Sequence, residues 1–482
     1  LKRIISKILE NNFSWLTAQQ LVSFLINYII VIFQARVLSP ESYGIVVLLN
    51  LFVIFSSLFA GLGIEKMIIR NQIKNNITLS ALLNGVLIFS GIIFIITIIT
   101  FPLFLKFYFG SYMINYSLAV LSAFGIFPSS LLVFAYAIYV RDKSFVKSSK
   151  IMIFSLVSVF VIVIVMTLLI PKTESLIYKQ ILVSLVPATI LLYKSDFKYK
   201  IVFSKVVFLR LVSFSKFLTF NGVFNFFVRN IDYVIIGKFF NQSILGQYGI
   251  AYKILVTPVK LITSQIDTVS FPNYTKLLKN LPELKKYYLS NVRLISQTLF
   301  PVIISIILFS NLIVDLFFDS RYGQLALIIS LLSVSALFQS VTATVGNVYI
   351  IFNQTRKMLF VSIFAFLMLG SILFAIAHTK SIYYFTAGYS MAYILTNFPV
   401  SNYFALKPLK ISIFEMLRHM ATPFFVSLII LGSFFLLDYL LGINIYIKIV
   451  ILLVLIITVY LLIHDKLKSL IGLKNVWHSR NI

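Results

Sequence analysis

Between Phe217 and Pro272, five charged residues fall inside two long apolar stretches: Arg229, Asp232, Lys253, Lys260 and Asp267. A charge at the centre of a bilayer costs about 2.5–3.5 kcal/mol on insertion scales, so such groups face protein or water rather than lipid. In the first stretch Asn221, Asn225 and Arg229 recur every four residues and Asp232 follows three later, which puts all four near one helical face. In the second, Lys253, Lys260 and Asp267 recur every seven, and Pro258 between the lysines is expected to kink the helix. The chemistry open to two mostly cationic stripes is anion binding. Arginine offers phosphate two parallel donors, whereas lysine supplies a point charge. Arg229 is therefore the first candidate for phosphate contact, with Lys253 and Lys260 lining the route. The alternative is that Arg229 pairs with Asp232 and only fixes the helix. Coupling to H+ or Na+ would need an intramembrane carboxylate. Asp232 is the candidate, and Asp267, close to the end of its stretch, reads as interfacial.

The elements that must hold these residues are membrane spans. The chain of 482 residues is 60% hydrophobic and 11% charged, against about 25% charged in soluble proteins. Mean hydropathy is +1.00. Fourteen apolar runs are expected to be helices crossing the membrane, at 15–35, 43–63, 79–103, 116–140, 151–170, 176–193, 217–240, 245–272, 289–316, 324–351, 358–378, 381–405, 420–438 and 441–463. The fold class expected is all-α and polytopic. Lys2, Arg3 and Lys7 before the first run have the charge order of a signal peptide. The run to Phe33 is too long for one and has no small-residue cleavage site, so it reads as an uncleaved span. With the N-terminus in the cytoplasm, 30 of the 41 Lys and Arg lie in the inside segments, 8 lie outside, and Arg229, Lys253 and Lys260 are intramembrane. This asymmetry places both termini in the cytoplasm.

Composition also excludes classes. The net charge of +27 is spread over short loops without a recognition motif, so no nucleic-acid partner is expected. No cysteine is present and none of the four histidines is paired at ligand spacing, which leaves no metal site. No GxxxxGK[ST] loop appears, and no cofactor is expected.

Two halves are legible. The expected organisation is 1–193, then a linker 194–216, then 217–406, then an extra helix pair with a basic tail at 407–482. Within the linker Val202, Val206, Leu209 and Val212 alternate with lysines at helical spacing. This is either an amphipathic helix on an anionic leaflet or a linker made basic by topology. Arg36 to Gly44 reads RVLSPESYG and Lys238 to Gly246, 202 residues on, reads KFFNQSILG. The same offset sets Gln19, Ser23 and Asn27 against Asn221, Asn225 and Arg229. Six spans per half make these parallel repeats, a layout in which substrate binds between lobes.

At this point the residues resemble a family. ARVLSPESYG (35–44) with FSSLFAGLGIEKMIIR (55–70), and RNIDYVIIG (229–237) with LGQYGIAYKI (245–254), TPVKLI (257–262) and SFPNYTKL (270–277), resemble bacterial polysaccharide flippases of the multidrug/oligosaccharidyl-lipid/polysaccharide exporter superfamily. The likeness is closest to the branch that serves O-units, colanic acid and teichuronic acid. It implies two six-helix lobes around a central cavity. It implies movement of an undecaprenyl-diphosphate-linked oligosaccharide from the cytoplasmic to the outer leaflet of the inner membrane, without enzymatic activity. Expected partners are that lipid-linked sugar, membrane lipids, and a polysaccharide polymerase and glycosyltransferases, with the chain itself a monomer. The extra helix pair resembles that of lipid II flippases.

Further binding candidates are Arg36 at the outer end of the first span, and Asn27, Gln339, Asn347, Tyr389, Tyr393 and Asn397 as polar lining. For the tyrosines, helix packing and interfacial belts compete with stacking on sugars. A multidrug or cation antiporter of the same superfamily remains the alternative, as does a lipid II flippase. The net basic stripes speak against cationic drugs. A membrane polymerase or glycosyltransferase would carry a long outer loop or an acidic cluster, whereas the outer acids Asp315 and Asp319 read as isolated.

Overall fold

The protein is an all-α, polytopic membrane protein. A computed structural model describes residues 12–61, 63–109 and 115–441, and no strand occurs among them. The helices are α1 (Asn12–Val37), α2 (Pro40–Ala60), α3 (Ile64–Arg70), α4 (Asn76–Phe109), α5 (Tyr116–Phe124), α6 (Ile126–Arg141), α7 (Phe145–Leu169) and α8 (Thr173–Tyr193). Then come α9 (Lys205–Phe239), α10 (Gln242–Leu277), α11 (Leu281–Leu308), α12 (Ser310–Phe317), α13 (Leu325–Thr342), α14 (Val345–Ile351), α15 (Thr355–Ala377), α16 (Ile382–Ala392), α17 (Phe398–Leu406) and α18 (Ile413–Leu441). Nine segments among the described residues are long and apolar enough to cross a membrane, and they coincide with the expected first to sixth and ninth to eleventh spans. Helices also occupy the expected seventh, eighth, twelfth and thirteenth spans. The fourteenth, at 441–463, and the tail beyond it lie outside the described residues but for Leu441.

Packing groups the described chain into two compact units. One runs up to Ile250 and includes Phe317–Gln324; the other holds Ala251–Leu316 and the residues from Leu325 onward. In the first unit α1 packs on α7, α6 and α7 on α8, and α2 on α4. In the second α11 packs on α13 and α18, and α16 on α13 and α15. Lipid supplies no hydrophobic drive for helix association, so close approach and satisfied polar groups must do it. Buried serines answer this by returning their O–H to the carbonyl four residues back, as in Ser155 to Ile151 at 2.7 Å and Ser296 to Val292 at 2.9 Å.

The divide expected at 194–216 is not where packing divides the chain. α9 lies against α2, α3 and α4, and Leu211, fully buried, joins Ile64, Ile68, Leu82 and Phe134 in one core. Of the two readings of 194–216, the amphipathic helix is corrected over its first half. After Lys194 the chain is non-helical as far as Ser204, and it is tied along the start of α4. Asn84 Nδ2 donates to the Val202 carbonyl at 2.9 Å, Tyr199 Oη to Asn84 Oδ1 at 2.8 Å, and the Lys200 N–H to Ser80 Oγ at 3.0 Å. Ser204 Oγ then accepts from the Val207 N–H and caps a helix that continues into the seventh span. Helical phase therefore starts at Lys205. The buried side is Val207, Phe208, Leu211 and Val212, while Val206 and Leu209 are exposed.

Candidate functional site

The cationic stripes sit on α9 and α10, the two longest helices with interior charges. α10 runs unbroken through Pro258 and Pro272. Arg229, on α9, is exposed and forms no ion pair among the described residues. Asp232 is 2% exposed, and its carboxylate accepts from Tyr248 Oη at 2.8 Å and from the Tyr233 N–H at 2.9 Å. The pairing of Arg229 with Asp232 is thereby excluded. Residues three apart share a helical face, so spacing alone permits the pair; here the aspartate is taken by Tyr248 of α10 and the arginine stays exposed. Tyr233 supports the arrangement, edge-on to Tyr248 with ring centroids 5.6 Å apart. Tyr248 is the functional neighbour that spacing could not reveal, because it lies sixteen residues on, across a helix turn. Replacing Tyr248 by phenylalanine is expected to cost about 1.5–3 kcal/mol, the worth of a hydrogen bond to a charged group. Thermal unfolding in detergent measures it, and an unchanged midpoint would show that the tyrosine holds nothing.

The other predicted residues divide by unit. Lys253 and Lys260 are exposed on the second unit's part of α10. The side chains of Asn221 and Asn225 lie outside the described residues. Asn27 is half-buried and donates to the Ser23 carbonyl of its own helix at 2.8 Å. Gln339 likewise turns to Ser335 Oγ at 3.1 Å. Asn347 donates to Asp267 Oδ1 at 2.7 Å, which gives the half-buried Asp267 a partner on another helix. Beside it Asn291 Nδ2 meets Tyr274 Oη at 2.8 Å and Ser270 Oγ at 2.9 Å. Tyr389 and Tyr393 stack on one another, centroids 6.5 Å apart and planes 27° apart. Tyr393–Asn397 is a turn of π-helix, and the buried Asn397 Oδ1 accepts no hydrogen bond among the described residues. Such turns disrupt the regular ladder and recur at functional positions.

Arg36 is placed differently. Its Nε donates to the Phe317 carbonyl at 3.3 Å, at the end of α1. The segment 317–324 folds onto the first unit here: Tyr322 Oη donates to the Leu38 carbonyl at 3.1 Å and the Gln324 N–H to Gln247 Oε1 at 3.0 Å. Asp319, expected to be isolated, is ion-paired with Arg321, and hydrogen bonds from that guanidinium hold its carboxyl below the ordinary aspartate range. Arg321 in turn reaches the Arg36 carbonyl at 3.0 Å.

The internal repeat has a geometric counterpart at this end. α1 and α9 end at Val37 and Phe239, α2 and α10 begin at Pro40 and Gln242, each pair 202 residues apart. Gly44 lies against the backbone carbonyl of Gln242, and Gly246 lies against the backbone carbonyl of Pro40. The contacts are reciprocal under the same offset, which is the signature of a local two-fold relation. Neither position has room for a Cβ.

Comparison with known proteins adds findings of three kinds. The profile of the family described as "Polysaccharide biosynthesis protein" matches residues 33–327. The teichuronic acid biosynthesis protein TuaB of Bacillus subtilis (strain 168) is 22% identical over 216 residues, 45% of this chain and 44% of that protein. The lipopolysaccharide biosynthesis protein WzxC of Escherichia coli (strain K12) is 23% identical over 134 residues, 28% of this chain and 27% of that one. The match thus spans less than half the length of either relative. Among solved structures, the lipid II flippase MurJ in an inward closed conformation superposes with a TM-score of 0.72 at 14% identity, covering 95% of this chain and 98% of that one. An inward-facing multidrug resistance transporter of the MATE family gives 0.59 at 17% identity, covering 80% and 95%. At these identities the likeness is one of fold.

Proposed function

Because the chain belongs to the polysaccharide biosynthesis protein family, we propose that it is a flippase carrying an undecaprenyl-diphosphate-linked oligosaccharide from the cytoplasmic to the outer leaflet of the bacterial inner membrane by alternating access. The observation that carries this reading is Arg229: an exposed guanidinium on the helix that occupies the expected seventh span, with Asp232 committed to Tyr248 instead. An arginine within an expected span, without a carboxylate partner among the described residues, is suited to a diphosphate, which cannot cross about 30 Å of hydrocarbon unaided. Lys253 and Lys260, exposed on the second unit, are further cations open to an anionic cargo. The biosynthetic roles in the names of TuaB and WzxC support the same cargo class.

On this reading the protein moves its cargo without making or breaking a covalent bond and needs no cofactor. Energy comes from an H+ or Na+ gradient through Asp232, and the working unit is a monomer beside a polymerase and glycosyltransferases. Reconstituted in proteoliposomes, the protein should carry a fluorescent lipid-linked oligosaccharide across the bilayer. Export of cationic dyes with no movement of the lipid-linked sugar would establish the antiporter instead.

Both termini are assigned to the cytoplasm. The chain contains no cysteine, so single replacements report cleanly. Lys194 and Ser320 are both exposed. An impermeant thiol reagent added to spheroplasts should label Ser320→Cys and spare Lys194→Cys; the opposite pattern would invert the topology.

A further inference from the structure

The second unit contains a cavity of about 860 Å³ between α15 and α17, lined by Phe360, Val361, Phe364, Val400 and Phe404. Lys357, Lys407 and Gln354 line it too, and all three lie at one end. They share that end because Lys357 is in the first turn of α15 and Lys407 directly follows α17. The wall is therefore apolar along its length and cationic at one rim. Both lysines are exposed, and neither forms an ion pair among the described residues. The N-terminus of α15, a helix of 23 residues, lies at the same rim and adds unsatisfied N–H groups and the positive end of its dipole. Phe360 is 71% exposed, Phe364 48% and Phe404 41%. Phe360 and Phe364, one turn apart on α15, and Phe404 of α17 line a wall that ends in two lysines, which asks for a ligand that is apolar along its length and anionic at its head.

We propose that this groove binds one anionic phospholipid of the surrounding membrane, its phosphate held by Lys357 and Lys407 and an acyl chain laid along Phe360, Phe364 and Phe404. The volume fits an occupant of that kind: sites enclosing a drug-sized ligand measure about 300–1,000 Å³, which suits an acyl chain better than the whole of an eleven-isoprene tail. Both lysines lie on the side where the charge asymmetry already places cations, and an anionic headgroup is the lipid chemistry that such a rim selects. The groove is distinct from the residues assigned to cargo, and this inference does not rest on the cargo reading.

The full-length protein in nanodiscs of phosphatidylglycerol and phosphatidylethanolamine, analysed by native mass spectrometry, tests this. A tightly retained phosphatidylglycerol is expected. Each cation at an anionic surface is worth about fivefold in affinity, so Lys357→Gln/Lys407→Gln should lower the preference for phosphatidylglycerol by roughly twentyfold or more. The control is Lys276→Gln/Lys279→Gln, which removes two exposed lysines of the same unit that do not line the groove and should leave the preference unchanged. Thermal unfolding confirms that each variant is folded. Equal losses in the two double variants would overturn the site, as would retention of lipid-linked sugar diphosphate but not phosphatidylglycerol. Disulfide capture between Phe404→Cys and a cysteine in 442–463 would also overturn it, by showing that the chain fills its own groove.

Discussion

With Arg229→Gln, the lipid-linked oligosaccharide is expected to accumulate on the cytoplasmic side while the protein reaches the membrane at its normal level. A hydrogen bond to a charged group contributes about 1.5–3 kcal/mol, so losing it weakens binding by roughly ten- to a hundredfold. The structure sharpens this expectation, because Asp232 does not need Arg229. Its carboxylate keeps Tyr248 and the Tyr233 N–H whatever stands at position 229. The substitution therefore removes a cation without stranding a buried anion, and folding should survive it. Arg229→Lys should retain partial transport, since charge persists while the two-donor geometry is lost. The same logic gives a decisive double variant. Were the two residues a pair, Arg229→Ala/Asp232→Ala would recover what each single change loses; here no rescue is expected. Full transport by a normally inserted Arg229→Gln, or rescue by the double variant, would remove Arg229 from the cargo path.

The second large effect lies at the reciprocal glycines. Gly246→Ala places a methyl group on the Pro40 carbonyl, and Gly44→Ala places one on the Gln242 carbonyl. Both obstacles are helix backbone, which cannot rotate aside as a side chain can. Overpacking costs about 1–3 kcal/mol where neighbours can yield, and more is expected where they cannot. Gly91, also within a helix, is the control, because a Cβ there meets nothing within 4 Å. Gly91→Ala should be neutral or stabilising by up to about 1 kcal/mol. Fluorescence-detected size exclusion after heating should show early loss of Gly44→Ala and Gly246→Ala and none for Gly91→Ala. Equal behaviour of all three would mean that the crossing contributes nothing to the folded state.

The sequence by itself determined the class, the helices at thirteen of the expected span positions, nine of them long and apolar enough to cross a membrane among the described residues, and the repeat. Each of these rests on a periodic or local property. Apolar runs of span length must be helices, because in lipid every backbone group has to be satisfied within its own segment. The repeat was legible because Gly44 and Gly246 keep their register 202 residues apart, and the same register governs where α2 and α10 begin. Arg229 and Asp232 were legible as costly residues in spans, but their partners were not. Spacing on one helix names which residues share a face, not which neighbour the face meets. Tyr248, which takes Asp232, and Asn347, which takes Asp267, come from other helices. The segment 194–216 failed for a related reason. Helical spacing was read across Ser204, where the helix actually starts, because bonds to Asn84 and Ser80 on another helix hold the preceding residues extended. Asp319 was taken as isolated although Arg321 stands two residues away, since a single turn of 3₁₀-helix at Ser320–Tyr322 brings them together. In each case the tertiary structure decided by supplying a second partner to a group whose first property, its charge or its period, was already written in the chain.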